Sequence, residues 1–139
     1  MSGQDTTTQE IDSTLNDESK LKLGFKLLQI LENWKLTDKD QLSLLGLSNV
    51  IKSRHLYLYR NGSKALDFSP EVLKRSEMIL GIYESLSTTY PTNQEYCSVW
   101  LKRPVKKFNH KAPLELMLSG DVGMKRVWHF LDCTQAWRD

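Results

Sequence analysis

Residues that start and stop helices recur along this 139-residue chain, and between them apolar residues return every three or four positions. That combination restricts the fold to short packed helices. Thr37 with Asp40, and Thr92 with Glu95, have the spacing of capping boxes, in which side chains satisfy the first exposed amides of a helix. Ser69-Pro70 and Ala112-Pro113 place proline in a first turn, where its missing N–H costs nothing, and Ser69 serves as cap. Pro91 and Pro104 interrupt helices. Gly46 and Gly120 end them, glycine accepting the positive φ that a sharp helix end requires.

The stripes between these marks define the expected helices. The first begins near Leu21 and ends near Trp34-Lys35, with Leu21, Leu23, Phe25, Leu27, Leu28, Leu31 and Trp34 inward and Lys22, Lys26 and Glu32 outside. The longest runs from Glu71 to about Thr88 on Val72, Ile79, Leu80, Tyr83 and Leu86. Tyr96, Val99, Trp100 and Leu101 make a shorter face, Leu114, Met117 and Leu118 another. A last helix, Val122 to about Cys133, turns Val127, Phe130 and Leu131 inward and Lys125, Arg126 and His129 outward. Leu56 to Phe68 reads either as a helix end with a turn at Asn61-Gly62 or as a brief strand without a partner. The expected fold class is therefore all-α, one domain or two very small ones sharing a core.

Hydrophobic content of 40% and charged content of 26% are ordinary for a globular body. No apolar run reaches the length of a membrane span, so no membrane partner is expected. Residues 1–20 are rich in Thr, Ser, Asp and Gln with only Ile11 and Leu15 to bury, which reads as a disordered acidic tail. They lack the basic start and apolar run of a secretory signal, making the cytoplasm the expected compartment. Cys97 and Cys133 stand far apart and His55, His110 and His129 are scattered, a pattern without the spacing of a zinc site or an activated nucleophile. Gly120-Asp121-Val122-Gly123 lacks the Lys-Ser/Thr of a phosphate loop. The expectation is a non-enzyme with no metal and no cofactor.

Charge is uneven along the chain. Residues 1–20 carry five acids against Lys20, whereas residues 21–65 carry eight bases against Glu32, Asp38 and Asp40. A polyanion would therefore bind within 21–65, although a surplus of five also suits a solvated surface. In this segment Leu42, Leu44 and Leu45 face inward, Gly46 turns the chain, and Ser48 can cap a second helix through His55. Two short helices about a glycine turn are the pattern of a helix-turn-helix region, whose second helix lies in the major groove. Ser48, Asn49, Lys52, Ser53, Arg54 and His55 would then face DNA. The competing reading is a tight helical corner with no DNA role. A second basic stretch, Lys106, Lys107 and Lys111 around Phe108, reads either as a solvated loop with Phe108 plugging the core or as a surface for phosphate or an acidic partner.

Taken in order, Trp34, Leu44-Leu45-Gly46, Arg75, Gly81-Ile82-Tyr83, Trp100-Leu101, Pro104, Pro113-Leu114, Gly120, Val127 and Leu131 resemble the pattern of the Xre/MbcA/ParS antitoxin family of bacterial toxin–antitoxin operons. The resemblance spans Leu21 to Asp139 and rests on order and spacing together. His110-Lys111-Ala112 departs from it where the family carries glycine and a Ser/Thr cap. Lys52 departs too, standing where a reading helix has an apolar anchor. The resemblance implies a helix-turn-helix region, residues 21–65, packed with a helical toxin-binding domain, residues 66–139. It implies a RES-domain toxin that consumes NAD as partner, operator DNA as a second, and a homodimer within a toxin–antitoxin hetero-oligomer. It also implies that the C-terminal end, here Thr134, Gln135, Ala136, Trp137 and Arg138, blocks the toxin's active site. Read without the family, that end is a frayed tail. A solitary DNA-binding regulator with no toxin is the alternative function.

Overall fold

The computed structural model describes residues 16–138, and the side chains of residues 16–132. Among them are seven α-helices: α1 (Asp17–Asn33), α2 (Asp38–Leu45), α3 (Leu56–Arg60), α4 (Pro70–Thr89), α5 (Gln94–Lys102), α6 (Pro113–Ser119) and α7 (Asp121–Arg138). Single 3-10 turns at Ser53–His55 and Lys106–Phe108 precede α3 and α6. The only pairing of extended backbone among the described residues is an isolated bridge between Val105 and Lys111. The fold is all-α.

Local chemistry explains most of these limits. Thr37 Oγ1 accepts from the amide of Asp40 at 3.1 Å, Ser69 Oγ from that of Val72 at 3.3 Å, and Gly46 closes α2 at φ 78°. Pro113 occupies the first turn of α6, where Glu115 Oε1 accepts from the amide of Ala112 at 3.3 Å. Two starts differ from the sequence expectation. Asn93, not Thr92, caps α5, its side chain accepting from Tyr96 N at 3.2 Å. α1 begins at Asp17 rather than Leu21, because Asn16 accepts from Ser19 N at 2.8 Å and Asp17 and Glu18 favour the positive end of the helix dipole. Asn16 of the expected disordered tail is thus a helix cap and residues 17–20 are helical, while residues 1–15 lie outside the described residues.

The core is continuous across the expected division at residue 65. Leu27, Leu31, Leu44, Leu45 and Leu56 on one side and Ile79, Ile82, Leu86, Leu101, Met117 and Val127 on the other belong to one buried cluster. α4 lies at its centre, packed on α7, α1, α2 and α5. The stripe on α1 is rotated from the expected one: Ile30 is buried and Phe25 is 52% exposed. The C-terminal turn of α1 is held by α5. Ser98 Oγ donates to the carbonyl of Trp34 at 2.9 Å and Lys102 Nζ to that of Lys35 at 3.0 Å, satisfying acceptors that a helix end leaves open.

Candidate functional site

The corner after α2 is the first surface to consider. Ser48 caps no helix, and the expected second helix from Ser48 to His55 is absent. After Gly46 the amides of Val50 and Ile51 both donate to Leu47 O at 3.0 Å. Lys52 is extended (φ −81°, ψ 143°), and the Ser53–His55 turn then leads into α3. The cause is the spacing of three residues that must be buried, Leu47, Ile51 and Leu56. Ile51 follows Leu47 by about one turn, but Leu56 follows Ile51 by five residues, about 140° round a continuous helix. Breaking the chain at Lys52 brings all three inward.

Ser48, Asn49, Lys52, Ser53, Arg54 and His55 are nevertheless all exposed. Val50 and Tyr57, at 63% and 57% exposure, share the same stretch. The second helical element of this corner therefore starts at Ser53, and its outward residues are Ser53, Arg54, His55 and Tyr57. Tyr57 was not legible because Leu56 and Leu58 alternate like a strand. The corner's charge is also partly consumed inside the molecule. Arg60 Nη2 contacts Glu32 Oε2 at 2.6 Å and Asp38 Oδ1 at 2.5 Å, and it donates to the fully buried Gln41 at 3.2 Å. Gln41 in turn donates to Glu32 at 2.9 Å and to Leu36 O at 3.0 Å. This network ties α1, α2 and α3 together. Lys52 and Arg54 form no ion pair among the described residues; Arg54 Nε reaches only His55 Nε2, at 3.5 Å.

Arg75 joins the corner to the C-terminal helices. It donates through Nη1 to Ser43 O at 3.3 Å, pairs through Nε with Glu71 at 2.7 Å and through Nη2 with Asp121 at 3.1 Å. It lies across Gly46, where an added Cβ would meet Arg75 Cδ at 2.9 Å. Lys74 Nζ also reaches Asp121, at 2.8 Å. That hydrogen bond is the main reason the Asp121 carboxyl is held below the usual carboxylate range, with Arg75 adding to it. The same contact pushes the Lys74 ammonium up. Both groups are thereby fixed in their charged forms, which suits a clasp and not proton transfer.

The second surface is carried by α5, α6 and α7. A Cβ on Gly81 would sit 2.2 Å from the Trp128 indole, and one on Gly123 would sit 1.9 Å from Leu116 O, so α7 crosses α4 and α6 at close range. Phe108 is buried and meets Phe130 edge-on at 5.1 Å, while Trp100 stacks on Phe130 at 6.3 Å. Phe108 does plug the core, as one reading of that loop had it. The loop turns through Asn109 and His110, both left-handed at φ 57° and 65°, and leaves Lys106, Lys107 and Lys111 exposed. Arg126 comes over it from α7, 5.3 Å from the Phe108 ring centre and donating to Lys107 O at 3.1 Å. Lys125, Arg126 and His129 are exposed, as the stripe implied. Sequence reading missed Met124, which is fully buried. α7 does not stop near Cys133 but continues to Arg138, so the backbone of Thr134, Gln135, Ala136, Trp137 and Arg138 is helical. Their side chains lie outside those described.

No group of three or more His, Cys, Asp or Glu side chains is placed to hold a metal among the described residues. Among the same residues no helix is long and apolar enough to cross a membrane. The Cys97 thiol is buried, and burial pushes its pKa up, the reverse of what activates a nucleophile. No protein-family model matches the chain. The chain is similar to the uncharacterized protein y4oB of Sinorhizobium fredii, with 29% identity over 110 residues that cover 78% of this chain and 80% of the other.

Proposed function

We propose that this chain is an antitoxin of the Xre/MbcA/ParS kind in a bacterial type II toxin–antitoxin system. It neutralises a RES-type, NAD-consuming toxin in the cytoplasm by seating Thr134–Arg138, the end of α7, in the toxin's active site. Neutralisation is steric, with no bond made or broken. Trp137 supplies a large area to bury, and Arg138 supplies planar donors for bidentate hydrogen bonds. The observation that carries the reading is the contact of Arg75 with Gly46: two members of the ordered pattern, remote in sequence, meet at the joint between the two halves. Gly81, Pro113, Gly120, Val127 and Leu131 likewise occupy the close approaches, helix ends and core positions that support α7.

The test is co-purification with the RES-domain product of the adjoining reading frame, with NAD consumption as readout. Removing residues 134–139, or making Trp137→Ala with Arg138→Ala, should restore NAD consumption while leaving the body folded. Unchanged inhibition removes the mechanism.

Operator binding through the corner, by a homodimer within the hetero-oligomer, belongs to the same proposal. Lys52 and Arg54, exposed and without ion pairs among the described residues, favour it. They also favour the alternative, a solitary DNA-binding regulator. Both readings predict duplex binding that weakens steeply with salt, and a loss on Lys52→Ala or Arg54→Ala that is uniform across sequences. Only the alternative survives if no toxin partner is bound.

A further inference from the structure

The fold gathers positive charge in a place the proposed function does not use. From Lys102 to Lys111 the chain has five bases and no acid, and α7 brings Arg126 onto that loop, with the exposed Lys125 next to it in the chain. The acids nearest in sequence already have partners: Asp121 pairs with Lys74 and Arg75, Asp132 accepts from Ser85 Oγ at 2.9 Å, and Glu115 accepts from the amide of Ala112 at the start of α6. Lys106, Lys107, Lys125 and Arg126 form no ion pair among the described residues. Arg126 is held in place by the Phe108 ring and Lys107 O, which leaves other guanidinium N–H groups for a carboxylate. The same flank is partly apolar. Val122 is 82% exposed and, with Trp128, Lys125, Arg126, His129 and Asp132, lines a shallow cavity of about 540 Å³.

We infer that this flank of α7, together with the lysine loop, docks an acidic rim on the partner protein that receives the C-terminal end. The inference rests on the proposed function for the existence of that partner. A protein suits the strip better than a nucleic acid, because Val122 and the Trp128 edge need an apolar contact that a sugar–phosphate backbone does not offer. Geometry places the rim. At about 1.5 Å of rise per residue, roughly 18 Å of helix separates Arg126 from Arg138, so the acidic rim lies outside the blocked pocket. Its role is to steer and orient association, which complementary charge accelerates by about 10- to 1,000-fold at low salt.

The experiment measures association and dissociation rates of the full chain with the purified RES-domain partner over a range of ionic strength. The variants are Lys125→Glu with Arg126→Glu and, separately, Lys106→Glu with Lys107→Glu. Because Arg126 touches Phe108, the loop pair, which does not rely on that contact, serves as the fold-neutral variant, with thermal midpoints as control. The expected result is an association rate lower by at least about tenfold and a flattened salt dependence, with dissociation changed far less. Unchanged association in both variants, while removal of residues 134–139 still relieves inhibition, overturns the strip and leaves the terminal mechanism standing. A loss of duplex DNA binding with partner association intact also overturns it, making the strip a nucleic-acid surface. If wild-type protein forms no complex, both readings fall.

Discussion

The helices before residue 65 and those after it are held together by different means. α1, α2 and α3 meet through a polar network, with Gln41 fully buried among Glu32, Leu36 O and Arg60. α4, α5, α6 and α7 meet through missing atoms and rings: Gly81 under Trp128, Gly123 against Leu116 O, and Phe130 between Trp100 of α5 and Phe108 of the turn before α6. Short helices joined by directional bonds hold a corner in place while its outer loop stays polar and exposed. Close backbone contact fixes the axis of a long helix instead, which suits the proposed seating of its far end in a partner.

The largest expected effect tests the second kind of contact. In Gly123→Ala the new methyl would meet a backbone carbonyl, which cannot swing away, so α6 and α7 must separate. A loss of more than about 3 kcal/mol, the upper part of the overpacking range, should appear in urea unfolding. Gly81→Ala meets a side chain that can shift, and about 1–3 kcal/mol is expected. Alanine's better helix propensity returns at most about 1 kcal/mol at either site. A neutral Gly123→Ala would mean that α7 is not seated on α6 as closely as the geometry states.

Next in size is the polar network. Gln41→Ala leaves Leu36 O without its donor and Glu32 and Arg60 short of a partner, a cost of about 1–3 kcal/mol. The comparison sharpens if Gln41→Ala also alters duplex binding, since α2 leads directly into the corner, while partner inhibition by α7 is unaffected. Equal damage to both readouts would show that the two halves fail as one unit.

How far the sequence could be read follows the same division. Ser69-Pro70, Gly46, Pro113 and Gly120 act through their own backbone chemistry, so they marked helix limits before any tertiary contact was known. The Lys125, Arg126 and His129 face was equally legible, being periodic within one helix. The second corner helix was misplaced because its register is set by burying Leu47, Ile51 and Leu56 together, a tertiary demand that no capping residue announces. Asn93 stood beside the more conspicuous pattern of Thr92 with Glu95, and Asn16 lay within a polar stretch whose composition reads as a disordered tail. Arg75 was singled out only through resemblance, and its role, bridging Ser43 O and Asp121 over Gly46, depends on contacts between three helices that spacing cannot reveal.

The smallest effect concerns the clasp of Asp121 on Lys74 and Arg75, which holds α7 to α4 beside the bond from Arg75 to Ser43 O. Asp121 has a pKa below the ordinary value of about 3.9. Its contribution to stability is therefore fully present above that value and is lost as pH falls through its own lower pKa. Lys74, raised above about 10.4, contributes fully below that value and loses its share as pH rises through its own higher pKa. Wild type and Asp121→Asn should then differ by a constant amount from about pH 5 to pH 9, with the gap closing in stronger acid. Because both groups are solvent-screened, the gap in urea midpoint should be no more than roughly a few tenths molar. A series of urea titrations across pH measures it. Were Asp121→Asn to keep the whole acid-side slope, the clasp would not be its source.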